Sequence, residues 1–236
     1  MPSRTKPIKK RENLWINLGC NLLLPSLLLK KSEAWFGGPP ALGFCIALAF
    51  PVSYGIYDFI TRRKYNFFSI LGFVSILITG GIGLFQISKD WIAVKEAAIP
   101  AILGLATLFS LKMRKPLIKF LLLNEEIIDA PRVEAMLEAN GKTADFNRLL
   151  ERCTLWLVTS FGASAVVNFV LARHIIQSPT GTTAFNDELG SFNLLSWPVI
   201  VLPFMVVTML ILWKLIGGIH RYTGLKFEEI FAQPNS

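Results

Sequence analysis

Residues 193–216 read NLLSWPVIVLPFMVVTMLILWKLI, and Lys214 is the one charged residue in this stretch. As an α-helix the stretch would extend about 36 Å, which exceeds the roughly 30 Å hydrocarbon core of a bilayer. A surface helix of a soluble domain carries a polar face, whereas a membrane span has no need of one. The stretch therefore predicts a transmembrane helix.

The composition of the whole chain supports the same class. Hydrophobic residues make up 53% of the 236 residues, charged residues make up 17%, and the mean hydropathy is +0.50. The apolar residues are gathered into long blocks separated by short charged segments, as a bilayer requires. We expect an all-α protein, a polytopic membrane helix bundle.

Six apolar blocks are long enough to be considered as spans. A basic tail (residues 1–13) precedes a membrane domain (14–216) that contains a polar insertion (112–153), and a second tail (217–236) follows. Several prolines fall inside the blocks, and membrane helices tolerate them as kinks. The predicted spans cover about 14–29, 40–60, 67–87, 91–111, 154–174 and 193–216.

The first block, Leu14 to Leu29, is the shortest and has an alternative interpretation. It follows a basic stretch and precedes Ser32-Glu33-Ala34, so a cleaved signal peptide competes with a marginal span. Lys30 and Lys31 lie between the apolar core and the cleavage position, which argues against cleavage.

The positive charges predict the orientation. Of the 24 lysines and arginines, 19 lie in the N-terminal tail, in segments 61–66 and 112–152, or after residue 213. The positive-inside rule assigns those segments to the cytoplasm, with six spans and both termini inside. The net charge of +8 then favours anionic lipid headgroups as the partner, and no nucleic-acid-binding motif accompanies it. The five remaining cations are Lys30, Lys31, Lys89, Lys95 and Arg173.

The tryptophans fall near the ends of the predicted spans. An indole ring is apolar, but its N–H is best kept near water, so tryptophan concentrates at membrane interfaces. We expect interface anchors at Trp15, Trp91, Trp156, Trp197 and Trp213.

The insertion between spans four and five is expected to be helical and cytoplasmic. Residues 112–123 read KMRKPLIKFLLL, an amphipathic segment suited to the inner headgroup plane. Residues 132–140 predict a short helix that stops at Asn140-Gly141, and Thr143 or Asp145 is a candidate cap for a helix continuing into span five.

Ionisable and amide side chains inside spans are costly, so they mark candidate functional positions. Lys95 and Glu96 enter span four together; because adjacent helical residues point about 100° apart, we expect them not to pair with each other. They are interpreted either as interface anchors or as a polar site. Asp58 is expected to pair with Arg62 four residues later, whereas an amide within a span is expected to find an interhelical partner. The candidate polar intramembrane site comprises Lys95, Glu96, Asn168, Asn21 and Asp58.

The sequence offers little support for catalysis. We find no Ser-His-Asp set, no HExxH, no phosphate-binding loop and no paired carboxylates at matching depth. The three cysteines are far apart, and the two histidines are predicted at opposite membrane faces, so no metal or other cofactor is expected. A glycine-rich stretch at residues 80–83 lies within a span, which favours close helix packing over nucleotide binding.

Three short motifs resemble a known family. Gly80-Gly81-x-Gly83-Leu84-Phe85, then Trp91-Ile92-x-x-Lys95, then Met113-Arg114-Lys115-Pro116-Leu117-Ile118 occur in this order, followed by Asn168. In order and approximate spacing they are similar to the bacterial intracellular septation protein A family of inner-membrane proteins. The resemblance covers about residues 72–173.

The resemblance implies a multi-pass protein of the bacterial inner membrane, with a role in septation or envelope maintenance through protein partners and no established catalytic activity. The first hypothesis is therefore a non-enzymatic structural or interaction component of the cell envelope, with envelope or division proteins, or a second copy of itself, as partners. A small secondary transporter or channel is the alternative. A transporter needs polar groups near the membrane midplane, and here Asn21, Asn168 and Thr79 are the main candidates.

Overall fold

The computed structural model describes residues 23–62, 67–111 and 128–231. Within these ranges the regular structure is helical, and Ile128 and Phe231 add an isolated antiparallel bridge. The helices are α1 (Leu24–Phe36), α2 (Pro40–Arg62), α3 (Phe67–Leu84), α4 (Asp90–Ser110), α5 (Ala130–Ala139), α6 (Thr143–Ile175), α7 (Thr183–Ser196), a π-turn (Trp197–Val201), α8 (Leu202–Thr223) and the short α9 (Phe227–Ile230).

Three helical stretches of the described residues are long and apolar enough to cross a membrane. They are Asp90–Ser110, Thr143–Ile175 and Thr183–Thr223, and they contain the predicted spans near 91–111, 154–174 and 193–216. The 21 residues of α4 rise about 31 Å, close to the thickness of a bilayer core. This is the pattern of a helical membrane protein, and the all-α prediction is confirmed for the residues described.

The earlier predicted spans are also helical where they are described. α2 and α3 occupy the blocks predicted near 40–60 and 67–87, and α2 is apolar over Pro40–Ser53. The block at 14–29 overlaps the described residues only at its end, where α1 begins at Leu24. α1 then continues through Lys30 and Lys31 to Phe36, although these residues were expected to follow the span.

The segment that the predicted span limits leave between residues 174 and 193 is largely helical, because α7 begins at Thr183. The Thr182 hydroxyl accepts a hydrogen bond from the Phe185 amide at 3.1 Å, which caps the new helix. Phe185, Leu189 and Phe192 follow at helical spacing and are all buried. An amphipathic helix with a capped start therefore replaces the predicted loop.

Pro198 produces a local widening of the helix. Proline has no amide hydrogen and its ring collides with the preceding turn, so a regular α-helix cannot pass through it undisturbed. Here the chain makes a π-turn over Trp197–Val201, and the Leu202 amide donates to the carbonyl of Trp197. The expected distortion of the proline-containing helix takes this form.

The helices form two compact units. The first contains the residues up to Ile92 together with Arg173–Leu195, and in it α2 packs against both α1 and α3. Glycines allow these contacts: a Cβ on Gly83 would lie 2.3 Å from the Phe44 ring, and one on Gly190 would lie 2.6 Å from the Ser26 carbonyl oxygen. Close packing at the predicted glycine stretch is confirmed at Gly83.

The second unit contains Ala93–Ala172 and the chain from Ser196 onward. Its core joins α6 to α8, with contributions from α5 and α9. α4 also approaches α6, since a Cβ on Gly104 would lie 3.1 Å from the Cβ of Phe161. The most buried members of this core are Leu150, Leu157, Ile211, Leu215, Ile219 and Ile230.

Candidate functional site

Lys95 and Glu96 form an ion pair within α4. The Lys95 Nζ lies 2.5 Å from the Glu96 Oε1, and the two side chains are 9% and 20% exposed. The prediction that these adjacent residues do not pair is wrong. The directions of their Cβ atoms differ by about 100°, but both side chains are long and flexible enough to turn toward each other.

The position of this pair makes its two charges energetically unfavourable unless they are paired. It lies in the second turn of α4, an apolar helix with the length of a membrane span. A lone charge at such a position is expensive, whereas a pair has no net charge and satisfies part of the hydrogen-bonding capacity of both groups. The pair is thus the strongest candidate for a polar site inside a span among the described residues.

Asn168 lies on α6 and bonds to its own helix. Its Nδ2 donates to the Ser164 carbonyl oxygen at 2.8 Å and approaches the Ser164 hydroxyl at 3.3 Å. Among the described residues no partner on another helix is observed, and the Ser164 carbonyl one turn earlier accepts a hydrogen bond from this amide. Asn21 lies outside the described residues, and so does the side chain of Asp58, whose backbone belongs to α2. Their predicted roles stay predictions.

The tryptophans that the structure describes lie on helices and expose much of their rings. Trp91 at the start of α4 is 58% exposed, and Trp213 on α8 is 70% exposed. Trp156 is also exposed, Trp197 is half-buried at the π-turn, and Trp15 is outside the described residues. Trp91 lies at the start of its helix, whereas Trp156 and Trp213 lie within α6 and α8, and the anchoring itself stays a prediction.

Sequence reasoning missed a polar cluster that joins two connections of the first unit, α3–α4 and α6–α7. The Lys89 ammonium donates to the Gln177 carbonyl oxygen, and the Thr180 hydroxyl donates to the Ile87 carbonyl oxygen at 3.0 Å. Arg173 and Asp90 add an ion pair at 3.5 Å. These contacts hold together two connections that are far apart in the sequence.

Glu188 on α7 completes this cluster. Its carboxylate accepts hydrogen bonds from the Gln177 and Ser178 amides, both at 2.8 Å, and from the Ser178 hydroxyl at 2.7 Å. The carboxylate therefore satisfies backbone donors of the α6–α7 connection, as a capping residue does. This role is structural, because it ties the α6–α7 connection to α7.

A small cavity lies in the first unit, lined in part by Pro40, Phe44, Phe185 and the buried Asn186. Its volume is about 190 Å³, and the Asn186 amide donates to the Pro40 carbonyl oxygen at 2.9 Å. Cavities for small-molecule ligands usually measure about 300 to 1,000 Å³. The space suits a few water molecules better than a substrate.

In the second unit, two segments that are far apart in the sequence form one folded module. We call it the C-terminal module: residues 128–153 with residues 216–231. The predicted helix at 132–140 is observed as α5, and it ends at Asn140 and Gly141 as expected. The predicted continuation into span five is confirmed as well, since α6 runs unbroken from Thr143 to Ile175.

Hydrogen bonds and ion pairs join the two chain segments of the C-terminal module. The Asn140 amide donates to the carbonyl oxygens of Tyr222 and Thr223 at 3.1 and 3.2 Å. The Arg132 guanidinium meets the Glu229 carboxylate at 2.9 Å. Beneath these contacts, side chains of both segments share the apolar core. The module is therefore one packed body, with its polar groups at the surface.

No family model, curated protein or solved structure matches this chain. Its function is therefore argued from its own residues. Over the ranges that the structure describes, no three His, Cys, Asp or Glu side chains come together as a metal site.

The surface of the C-terminal module gives a prediction about pH. A hydrogen bond from the Lys226 amide, with the Arg132 guanidinium nearby, holds the pKa of Glu229 below its ordinary value. The folded state therefore favours the ionised carboxylate, and its stabilisation is present above the unfolded pKa of about 4.3 and lost as the pH falls through the folded value.

We expect Glu229→Gln to lower the melting temperature at pH 7, and we expect the difference from wild type to disappear under more acidic conditions. Melting curves of both proteins in detergent between neutral pH and about pH 3.5 would test this. A difference that grew on acidification would contradict the assignment.

Proposed function

We propose that this chain is a non-enzymatic interaction protein of a bacterial cytoplasmic membrane, with six spans and both termini in the cytoplasm. The resemblance to the septation protein A family supports a role in division or envelope maintenance, exercised through protein partners. On this proposal the C-terminal module is the surface that partners bind.

The packing of the C-terminal module is the observation that carries the proposal. Buried residues from α5 and from the start of α6 share one core with the end of α8 and with α9. The outer surface is consequently held in a fixed shape, and fixed charged surfaces favour specific protein recognition over loose association. The exposed charged residues on this surface include Arg132, Glu134, Glu138 and Glu151.

The distribution of positive charge supports the cytoplasmic placement. The module belongs to the segments 112–152 and 217–236, which carry many of the lysines and arginines assigned to the inside. The unbroken α6 connects the module directly to an apolar stretch of span length. A partner bound to the module would therefore be held at the membrane surface.

Photo-crosslinking in living cells tests this proposal. A crosslinking residue at Glu138, on the exposed face of α5, is expected to capture division or wall-synthesis proteins. The matched control is the same residue at Val166, which is 63% exposed in the apolar part of α6 and is expected to face lipid. Partners captured at both positions alike would contradict a specific surface on the module.

Two other outcomes would redirect the proposal. Products made of a second copy of this chain alone would indicate a homo-oligomer whose interface is the module. A periplasmic reporter that is active when fused after Ser236 would place the C-terminus outside and contradict the topology.

The Lys95–Glu96 pair is the observation that favours the alternative, a small secondary transporter. Paired ionisable groups inside spans are used as proton relays and ion sites. Purified protein in proteoliposomes would then show solute flux driven by an ion gradient, and Glu96→Gln would abolish it. Flux that depends on Glu96 would overturn the interaction proposal.

A further inference from the structure

Lys214 occupies an unusual position on α8. It is the one charged residue in the apolar stretch 193–216, and its ammonium lies 4.1 Å from the centre of the Trp156 ring on α6. An ammonium over an indole face is stabilised without being neutralised. Its positive charge is thus held in place and remains available to an anion.

Arg152 adds a second cation on the α6 side. It lies four residues before Trp156, which places both on one face of the helix, and both are exposed. Glu151, the neighbouring carboxylate in the sequence, is five positions from Trp156, a rotation of about 140° around the helix. Its Cα–Cβ bond is directed away from Trp156, and over the described residues its carboxylate does not form an ion pair with Arg152.

α8 carries a third cation, Arg221, and a glycine that lies between this cation and Lys214. Lys214, Gly217 and Arg221 are spaced at i, i+3 and i+7, so they share one face. A side chain added at Gly217 would meet open space, so no other side chain covers the surface between the two cations, and we call this uncovered surface the notch. The next glycine, Gly218, is filled from α6 by Leu149, which closes the contact between the two helices beside the notch.

The three cations of the notch differ from other cations of the same unit. Lys142 and Arg148 both pair with Asp145, at 3.1 and 4.0 Å. Across the part of the chain that the structure describes, Arg152, Lys214 and Arg221 have no carboxylate within ion-pair distance. Three positive charges at one edge of α6 and α8 are therefore complementary to an anion.

We infer that this notch binds the phosphate of an anionic glycerophospholipid. The exposed Trp213 marks interface depth beside it, and the exposed apolar side chains of Val206 and Leu210 continue along α8 away from the notch. The phosphate of a lipid fits among the cations, and its acyl chains fit along the apolar surface of α8. Free phosphate would contact the cations alone. The inference rests on α6 and α8 lying in a membrane and is independent of the proposed interaction function.

Native mass spectrometry of the full-length protein in detergent tests the inference. With phosphatidylglycerol added, we expect lipid-bound protein, and with phosphatidylcholine much less. Lys214→Gln and Arg152→Gln are each expected to weaken phosphatidylglycerol binding about fivefold, the usual effect of one basic residue near an anionic surface. Inorganic phosphate at constant ionic strength is expected not to displace the lipid.

Lys142→Gln is the matched control, because it removes the same charge from the same unit outside the notch. It is expected to leave lipid binding unchanged. An equal loss with Lys142→Gln would mean general attraction to a basic surface and would overturn the inference, as would equal binding of phosphatidylcholine or displacement by inorganic phosphate. If Lys214→Gln does not fold, Arg152→Gln decides, since Arg152 is exposed and supports no described contact.

Discussion

Replacing Glu96 with glutamine is expected to lower the free energy of unfolding by about 1 to 3 kcal/mol. The change leaves Lys95, which is 9% exposed, without the carboxylate that lies 2.5 Å from its Nζ. A largely buried ammonium then meets a neutral amide in place of a negative charge, so the charged form of Lys95 is less well stabilised. Thermal melting in mild detergent measures the effect.

Two control variants separate a buried pair from a simple interface anchor. Lys95→Arg keeps the charge and is expected to melt like wild type. The double replacement Lys95→Leu/Glu96→Leu removes both charges and is expected to be close to neutral, because apolar substitutes for a buried pair are often tolerated. Unchanged melting of Glu96→Gln would show that the pair does no more than anchor α4 at the interface.

Gly190→Ala is expected to destabilise the first unit by about 1 to 3 kcal/mol, the usual range for overpacking a close contact. The added methyl group would lie 2.6 Å from the Ser26 carbonyl oxygen and 3.3 Å from the Lys30 amide nitrogen. Both atoms belong to the backbone of α1, so a side-chain rotation cannot relieve the clash. α1 and α7 would have to separate.

Gly162→Ala provides the matched control for this substitution. Gly162 also lies within a helix, but a Cβ there meets nothing within 4 Å. Alanine is a better helix former than glycine, so this variant is expected to be neutral or stabilised by up to about 1 kcal/mol. If Gly190→Ala melted as Gly162→Ala does, the close approach of α7 to α1 would be wrong.

The long apolar stretches made most helices predictable, whereas α7 shows where that signal ends. Its first part contains Asn186, Asp187 and Glu188, so hydropathy alone suggests a loop. The helical spacing of Phe185, Leu189 and Phe192 after a threonine cap indicates an amphipathic helix. A search for this periodicity would have predicted α7.

The Lys95–Glu96 pair was located from the sequence, but its geometry was not. The rule that adjacent residues diverge on a helix describes the Cα–Cβ directions. Lysine has four methylene groups and glutamate has two, and where α4 is apolar the cost of separate charges outweighs the loss of side-chain freedom. The flexibility of the two side chains and the apolar surroundings of α4 therefore explain why Lys95 and Glu96 pair.

The polar cluster around Gln177 was beyond sequence reasoning for a different reason. The Lys89 ammonium and the Gln177 carbonyl that it bonds are separated by 88 positions, and Thr180 reaches Ile87 across 93. The local sequence around residues 87–89 contains no feature that predicts a contact with residues 177–180. Such contacts follow from the tertiary arrangement of the first unit, where two connections between helices meet.

The C-terminal module has a consequence for how the chain is made. Arg132 and Glu229 are 97 positions apart, and the Ile128–Phe231 bridge closes a slightly longer interval around them. At translation rates of about 5 to 20 residues per second, the 97 positions represent roughly 5 to 20 seconds of synthesis. Throughout this time Val133 and Leu137 lack the α8 and α9 residues that will cover them. The nascent chain is then open to proteases and chaperones, and arrival of its last segment ends that exposure.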